Sequence, residues 1–176
     1  MENKIYLRAF EYSDLSFLNS IRNDDILFQT TTGNKYYVSS EYDKKWVEDK
    51  IFNNYHQLYL VICCKNSNEP VGYTSANNID YINRKAEWGG MLISSKHING
   101  GFGTEACHLF IDHLFGELGM NMIYAFVKEN NKASNRLSEK FGFTKDGVIR
   151  DFVYKQNSYH NVSIYTLLKS EYDNRK

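Results

Sequence analysis

Glycines at 100, 101 and 103 stand directly before a helical apolar pattern, in the run Asn99-Gly100-Gly101-Phe102-Gly103-Thr104-Glu105-Ala106. No other stretch restricts the chain as strongly. Glycine tolerates positive φ and lets consecutive main-chain N–H groups converge on a ligand with no Cβ in the way. Leu109, Phe110, Leu114, Phe115 and Leu118 then recur at helical spacing, so a helix is expected from Gly103 or Thr104, closing at Gly119. Its unpaired first amides and positive dipole end would face the same point as the glycine amides. The run reads as an anion cradle, and equally as a glycine-rich turn that merely starts a helix.

Gly101-x-Gly103-x-x-Ala106 also fits the dinucleotide fingerprint, but that motif opens a βαβ unit at the head of a doubly wound sheet. Only 70 residues follow Ala106 in this chain of 176, too few for most such sheets. The Walker loop is excluded because no Lys-Ser/Thr follows the glycines.

Around this turn the apolar period alternates between two and 3.6. Lys4–Phe10 alternates Ile5, Leu7 and Ala9 with polar or amphipathic neighbours and reads as an edge strand. Ser13-Asp14 is expected to cap a helix through about Arg22, with Leu15, Leu18 and Ile21 inward. A second helix starts near Ser39-Ser40, with Tyr42, Trp46, Val47 and Ile51 on its buried side. Between them Phe28–Val38 is irregular and aromatic, either a lip over a substrate or a surface loop. Leu58–Cys64 and Val71–Ile79 pair as a hairpin across a turn that holds the only proline, Pro70. Asn83-Arg84 turns into Lys85–Ile93, the strand that delivers the chain to the glycines. Asn121–Lys128, a helix from Lys132, and two strands at about Ile149–Lys155 and Asn161–Lys169 complete the count. The expectation is an α/β (α+β) fold with a mixed, mostly antiparallel central sheet flanked by helices, in one domain over residues 1–176.

Composition narrows the partners. Lys plus Arg equals Asp plus Glu at 21 each, so no long-range field recruits nucleic acid or an anionic membrane. Aromatic content of 15% could stack bases, but single-strand binding surfaces normally come with a basic groove. The longest apolar run, Leu58–Cys64, is too short to span a bilayer, and Met1-Glu2-Asn3-Lys4 lacks the apolar core of a signal peptide. A cytoplasmic protein is expected. Cys63 and Cys64 point to opposite faces of one strand and Cys107 sits in a helix, a spacing that suits neither a metal nor a disulfide and points to packing.

The order strand, glycine loop, long helix, strand, then Asn131-Lys132-Ala133-Ser134-Asn135-Arg136-Leu137-Ser138-Glu139-Lys140-Phe141-Gly142-Phe143 resembles the GNAT superfamily of acyl-CoA N-acyltransferases. That family's pyrophosphate loop reads Gln/Arg-x-x-Gly-x-Gly/Ala, and a later helix carries an Asn and ends in a Lys-x-Gly-Phe-like segment. Gly101 and Gly103 match the loop glycines, while Ile98 stands in the Gln/Arg place. Gly-Phe-Gly-Thr-Glu-Ala is similar to the branch with ribosomal-protein N-terminal and spermidine acetyltransferases. The resemblance implies acetyl-CoA as donor and direct transfer to a primary amine on a small molecule or peptide. It also implies a splayed strand pair for the cofactor arm, eased by Gly89 and Gly90. A homodimer is admitted as a further partner. A coenzyme A binding module without activity is the alternative.

Transfer needs a held donor, a deprotonated amine, a stabilised tetrahedral oxyanion and a proton for the departing thiolate. Amides around Asn99, Gly100, Gly101, Phe102, Gly103 and Thr104 would hold the diphosphate, and the backbone of Met91, Leu92 and Ile93 would pair with the pantetheine arm as an added strand does. Asn131 matches the family Asn that contacts this arm and could also cap the helix from Lys132. Glu87, flanked by Ala86 and Trp88, is the candidate base, against the plain reading of a surface glutamate. Many relatives place a tyrosine where this chain has Ser138, and the ribosomal-protein branch looks similar in having a serine at the position of Ser134. Helical spacing puts both serines on one face, so either could be the acid, or both could be ordinary polar helix residues. Arg22, Phe28, Trp46, Trp88, Arg150-Asp151 and Tyr159-His160-Asn161 are candidates for the acceptor pocket. No metal is expected.

Overall fold

A computed structural model describes residues 4–98 and 100–175. Seven strands form one sheet, β1 (Ile5–Ala9), β2 (Leu58–Cys64), β3 (Pro70–Asp80), β4 (Lys85–Ile93), β5 (Met122–Lys128), β6 (Thr144–Lys155) and β7 (Ser158–Leu168), in the order β1-β2-β3-β4-β5-β7-β6. Every pairing is antiparallel except β4 with β5. That exception follows from the long crossover between them, the helix α4 (Phe102–Gly116).

Each face has its own core. On one side α4 and α5 (Lys132–Phe141) bury Phe110, Ile111, Leu114 and Phe141 against Ala86, Trp88, Ile123, Tyr165 and Leu167. On the other, α1 (Leu15–Arg22) and α3 (Ser40–Phe52) close over β1, β2 and β3 through Phe10, Leu18, Val47, Val61 and Cys63. The sequence period thus produced the layers, and the mostly antiparallel α/β expectation holds. Cys63 and Cys64 do point to opposite faces, joining different apolar clusters.

Several local expectations need correction. Asp14 makes no side-chain cap on α1; its carboxylate is 2% exposed and takes both Arg8 guanidinium nitrogens at 2.7 Å and the Glu11 N–H at 2.9 Å. A buried carboxylate needs those three donors more than an exposed helix end needs a cap. Ser39 does cap α3, accepting from the Tyr42 N–H at 3.2 Å, but the Tyr42 ring is exposed rather than inward. The irregular stretch begins later than Phe28, because Asp25–Thr30 forms a short helix, α2. A second short helix, α6 (Lys169–Asp173), follows β7. The last hairpin turns tightly at Gln156-Asn157, both at positive φ, so β6 and β7 are longer than the apolar pattern indicates.

Candidate functional site

The glycine turn is built as its residues suggest. Gly101 is the residue before α4, at φ +81°, in the left-handed region that a side chain strains. The first bond of the helix is Glu105 N–H to Gly101 O at 3.4 Å, so the N–H groups of Gly101, Phe102, Gly103 and Thr104 precede the intrahelical ladder. A Cβ on Gly103 would lie 3.2 Å from Met91 Cε, which ties the turn to β4, and one on Gly100 would lie 2.8 Å from the Phe102 ring. Lys140, in the last turn of α5, reaches Thr104 Oγ1 at 3.4 Å and brings a cation to the same place. Asn99 lies outside the described residues.

From this turn the sheet opens. β4 and β5 are paired only at Lys85↔Met122, Ala86↔Ile123 and Glu87↔Tyr124; beyond Glu87 the two strands part. The cause sits at Gly89-Gly90. The register against β3 slips there, Gly90 has φ +95°, and a Cβ on Gly89 would fall 2.5 Å or less from Asn77 Nδ2 and Ser75 Oγ. The positive φ at Gly90 favours glycine, and a side chain at 89 would have to displace those of Asn77 and Ser75 for β4 to keep its place against β3. Into the gap opens a cavity of about 390 Å³, walled by β4 from Trp88 to Leu92 and β5 from Ala125 to Lys128.

The α5 side of the cavity carries Asn131, Ser134 and Ser138. Asn131 caps its helix, its Oδ1 accepting the Ser134 N–H at 3.1 Å, while also facing the cavity. Ser138 is almost fully buried and Ser134 half-buried. Met91 and Leu92 line the gap on the strand edge that β5 has vacated; Ile93 packs into the core beside Ala106 and pairs with Gly72.

The opposite side is aromatic. Arg22, Phe28, Trp46 and the Tyr59 and Tyr73 rings of β2 and β3 wall it, with Thr31, Thr32 and Gly33 from the segment after α2. That segment is therefore part of the wall. Its main chain is held by Lys155, whose Nζ donates to Phe28 O, to Thr31 O at 2.9 Å and to Gly33 O at 2.6 Å. Burial pushes the Tyr73 phenol up to about 12 and also raises that of Tyr59, whose OH donates to Asn77 Oδ1 at 3.0 Å. Both phenols therefore stay protonated donors at neutral pH.

Glu87 stands at the last paired position before the strands part, but it does not line the cavity. Its carboxylate accepts from Asn78 Nδ2 at 2.8 Å. Trp88, its sequence neighbour, points through the sheet to stack on Phe143 with ring centroids 5.7 Å apart. Adjacency to tryptophan in the sequence thus places no ring beside the carboxylate, because successive strand residues face opposite sides. Arg150, Asp151, Tyr159, His160 and Asn161 are also absent from the cavity wall. They close their own hairpin, where Asn161 accepts from the Asp151 N–H at 3.1 Å and donates to Glu129 at 3.1 Å. Tyr59, Tyr73 and Lys128 line the cavity without having been singled out from the sequence; alternation along β2, β3 and β5 was the only signal for them.

Residues 4–144 match the model of the acetyltransferase (GNAT) domain. A putative ribosomal N-acetyltransferase of Bacillus subtilis is 35% identical over 105 residues, a match that covers 60% of this chain and 57% of that relative. Spermidine N(1)-acetyltransferase of Vibrio cholerae is 25% identical over 175 residues, with 99% of both chains covered. The crystal structure of spermidine N-acetyltransferase from Vibrio cholerae in complex with CoA and spermine superposes with a TM-score of 0.90 at 24% identity, over 98% of this chain and all of that one. With the glycine turn, the parted strands and the α5 asparagine in their family order, the chain belongs to the GNAT acetyltransferase family.

Proposed function

We propose that this protein, acting as one N-acetyltransferase domain, transfers an acetyl group from acetyl-CoA directly to a primary amine. The observation that carries the reading is the open edge of β4 beyond Glu87, which runs from the glycine turn into the cavity between β4 and β5. The residues fit the donor. Main-chain amides from Gly101 to Thr104, with Lys140 beside them, suit a diphosphate; the vacated strand edge at Met91, Leu92 and Ile93 suits an extended amide-bearing arm; Asn131 suits an amide of that arm. When bound, acetyl-CoA supplies the acetyl group as a thioester, and the amine leaves as an amide while coenzyme A leaves as a thiol.

The chain's residues would divide the proton work across the sheet. Glu87, outside the cavity wall and held by Asn78 just where the strands part, takes the amine proton only through intervening water. Ser134, on the wall, offers its hydroxyl to the departing sulfur, and Ser138 backs it one turn further along α5. Both serines are weak acids, so positioning supplies most of the acceleration. Relatives named for ribosomal proteins and spermidine mark peptide and polyamine amines as acceptors to try. Among the described residues no helix is long and apolar enough to cross a membrane, and we place the enzyme in the cytoplasm. A dodecameric relative makes self-association, at least as a homodimer, part of the reading. The test is release of thiol from acetyl-CoA over a panel of peptides, polyamines and amino sugars, compared with a blank lacking amine. Turnover above the blank is the expected result; donor binding without turnover of any amine would leave a coenzyme A binding module instead, and acetyl label retained on the protein would refute direct transfer.

A further inference from the structure

Among the described residues, no carboxylate lines the cavity, while Arg22 and Lys128 both do. Arg22 is already matched, since its Nε lies 2.6 Å from Asp43 Oδ1 and Asp43 is fully buried. Lys128 is different. Only 2% of it is exposed, and among the described residues its ammonium has neither an ion-pair nor a hydrogen-bond partner. The β5–β7 register places it on the same face as Phe126, on the aromatic side of the cavity rather than the α5 side. Glu129, next in the chain, turns away to Lys145 and Asn161 at the surface, and Glu87 is held by Asn78 outside the wall.

A second buried lysine stands close by. Lys155, 6% exposed, directs its ammonium at carbonyl oxygens of the 28–33 segment, so no anion compensates it either. Its pKa is lowered, first by burial and then by the nearby charge of Lys128. The stem of Lys128 is thus packed away while its residue lines the cavity with no anion opposite it, an arrangement that an anionic ligand group would complete with a charge-assisted bond.

We propose that the acceptor is an amine carrying an anionic group, a carboxylate or a phosphate, which pairs with Lys128 and so presents the amine to the acyl carbon. The inference rests on the transferase reading and names its substrate class. An acceptor bearing only positive charge, such as a polyamine, would place its ammonium groups against an uncompensated cation and bind poorly. The spermine of the Vibrio cholerae complex belongs to that protein, and this chain's cavity is walled for the opposite charge.

The test compares amines that differ only in the anion: cadaverine with lysine, ethanolamine with phosphoethanolamine, glucosamine with glucosamine 6-phosphate, and spermidine as the pure cation. With the wild-type protein, kcat/KM for at least one anionic member should exceed that of its partner at least tenfold, the better of the carboxylate and phosphate arms identifying the anion. Lys128→Gln should remove most of that advantage through KM, and Lys128→Arg should keep it even if the glutamine variant does not fold. Spermidine or cadaverine turned over as well as every anionic amine would overturn the inference and leave the transferase standing. If acetyl-CoA binds and no amine releases thiol, the transferase reading fails on its own. Binding of the same anionic amines to CoA-loaded protein then decides: saturable binding weakened at least tenfold by Lys128→Gln upholds an anion site, and its absence or indifference to the substitution overturns it.

Discussion

At Gly101 and Gly103 two substitutions separate backbone strain from ligand exclusion. Gly101 stands at φ +81° with nothing within 4 Å of a Cβ, so Gly101→Ala costs about 1–2 kcal/mol through the backbone alone. Gly103 has an ordinary helical position, and a side chain there meets only the flexible end of Met91. Gly103→Val is therefore expected to leave the far-UV and near-UV circular dichroism unchanged while weakening coenzyme A binding at least tenfold by calorimetry, because the branched side chain covers the amides of the first turn. Unchanged affinity in that variant would remove the diphosphate from this turn. The Gly101→Ala cost is read from the urea midpoint, and the two effects should not exchange places.

Among the elements, the link between β5 and α5 fixes the α5 wall of the gap that Gly89-Gly90 opens. Asn135 donates its amide to Asn131 O at 2.7 Å and to Lys128 O and Glu129 O at 3.2 Å, and accepts from the Tyr165 phenol at 2.9 Å. Asn135→Ala leaves several of these buried or half-buried groups unpaired, so it should cost about 2 kcal/mol and raise KM for acetyl-CoA, since Asn131 and Ser134 lose their anchor. A variant equally stable and unchanged in KM would show that α5 is held by packing alone. Elsewhere the end of α3 provides a pH signature. The Asp49 carboxyl is held below its usual 3.8 by donation from Lys50, then Gln57 and Asn53. A lowered folded value means the contribution is fully present above about pH 4 and lost as pH falls through the folded value. Asp49 is well exposed, so the loss is below about 1 kcal/mol. The gap in urea midpoint between wild type and Asp49→Asn should accordingly close between pH 6 and pH 2.5. What the chain disclosed by itself was whatever local chemistry decides: the glycine turn, the Ser39 cap, the alternation of β2 to β5. What it hid depends on partners distant in sequence. The parting of β4 from β5 is a failure to pair, the cavity lysine is a matter of which face Lys128 occupies, and Asp14 left its cap for Arg8. The helix α2 has six residues, too few for a helical period to register.

In the whole molecule the proposed donor site draws on β4, β5, α4 and α5, elements whose side chains meet in one apolar cluster containing Trp88, Phe110, Ile123, Phe141 and Phe143. A ligand gripping all four binds the folded chain and finds no equivalent in the unfolded one, so its binding energy appears in global stability. At a free concentration of 100 times Kd the gain is about 2.7 kcal/mol. For a chain of 150–250 residues each kcal/mol moves Tm by about 2–4 °C, which gives a rise of about 5–11 °C on adding coenzyme A. The Gly103→Val variant should lose most of this rise at the same ligand concentration while melting close to the wild-type temperature without ligand. Sulfate at matched ionic strength controls for a general salt effect, since it can visit the amides of the turn but not the strand edge. A wild-type Tm unmoved by coenzyme A, or moved as far in Gly103→Val, would mean that the parted strands and the glycine turn do not act as one site.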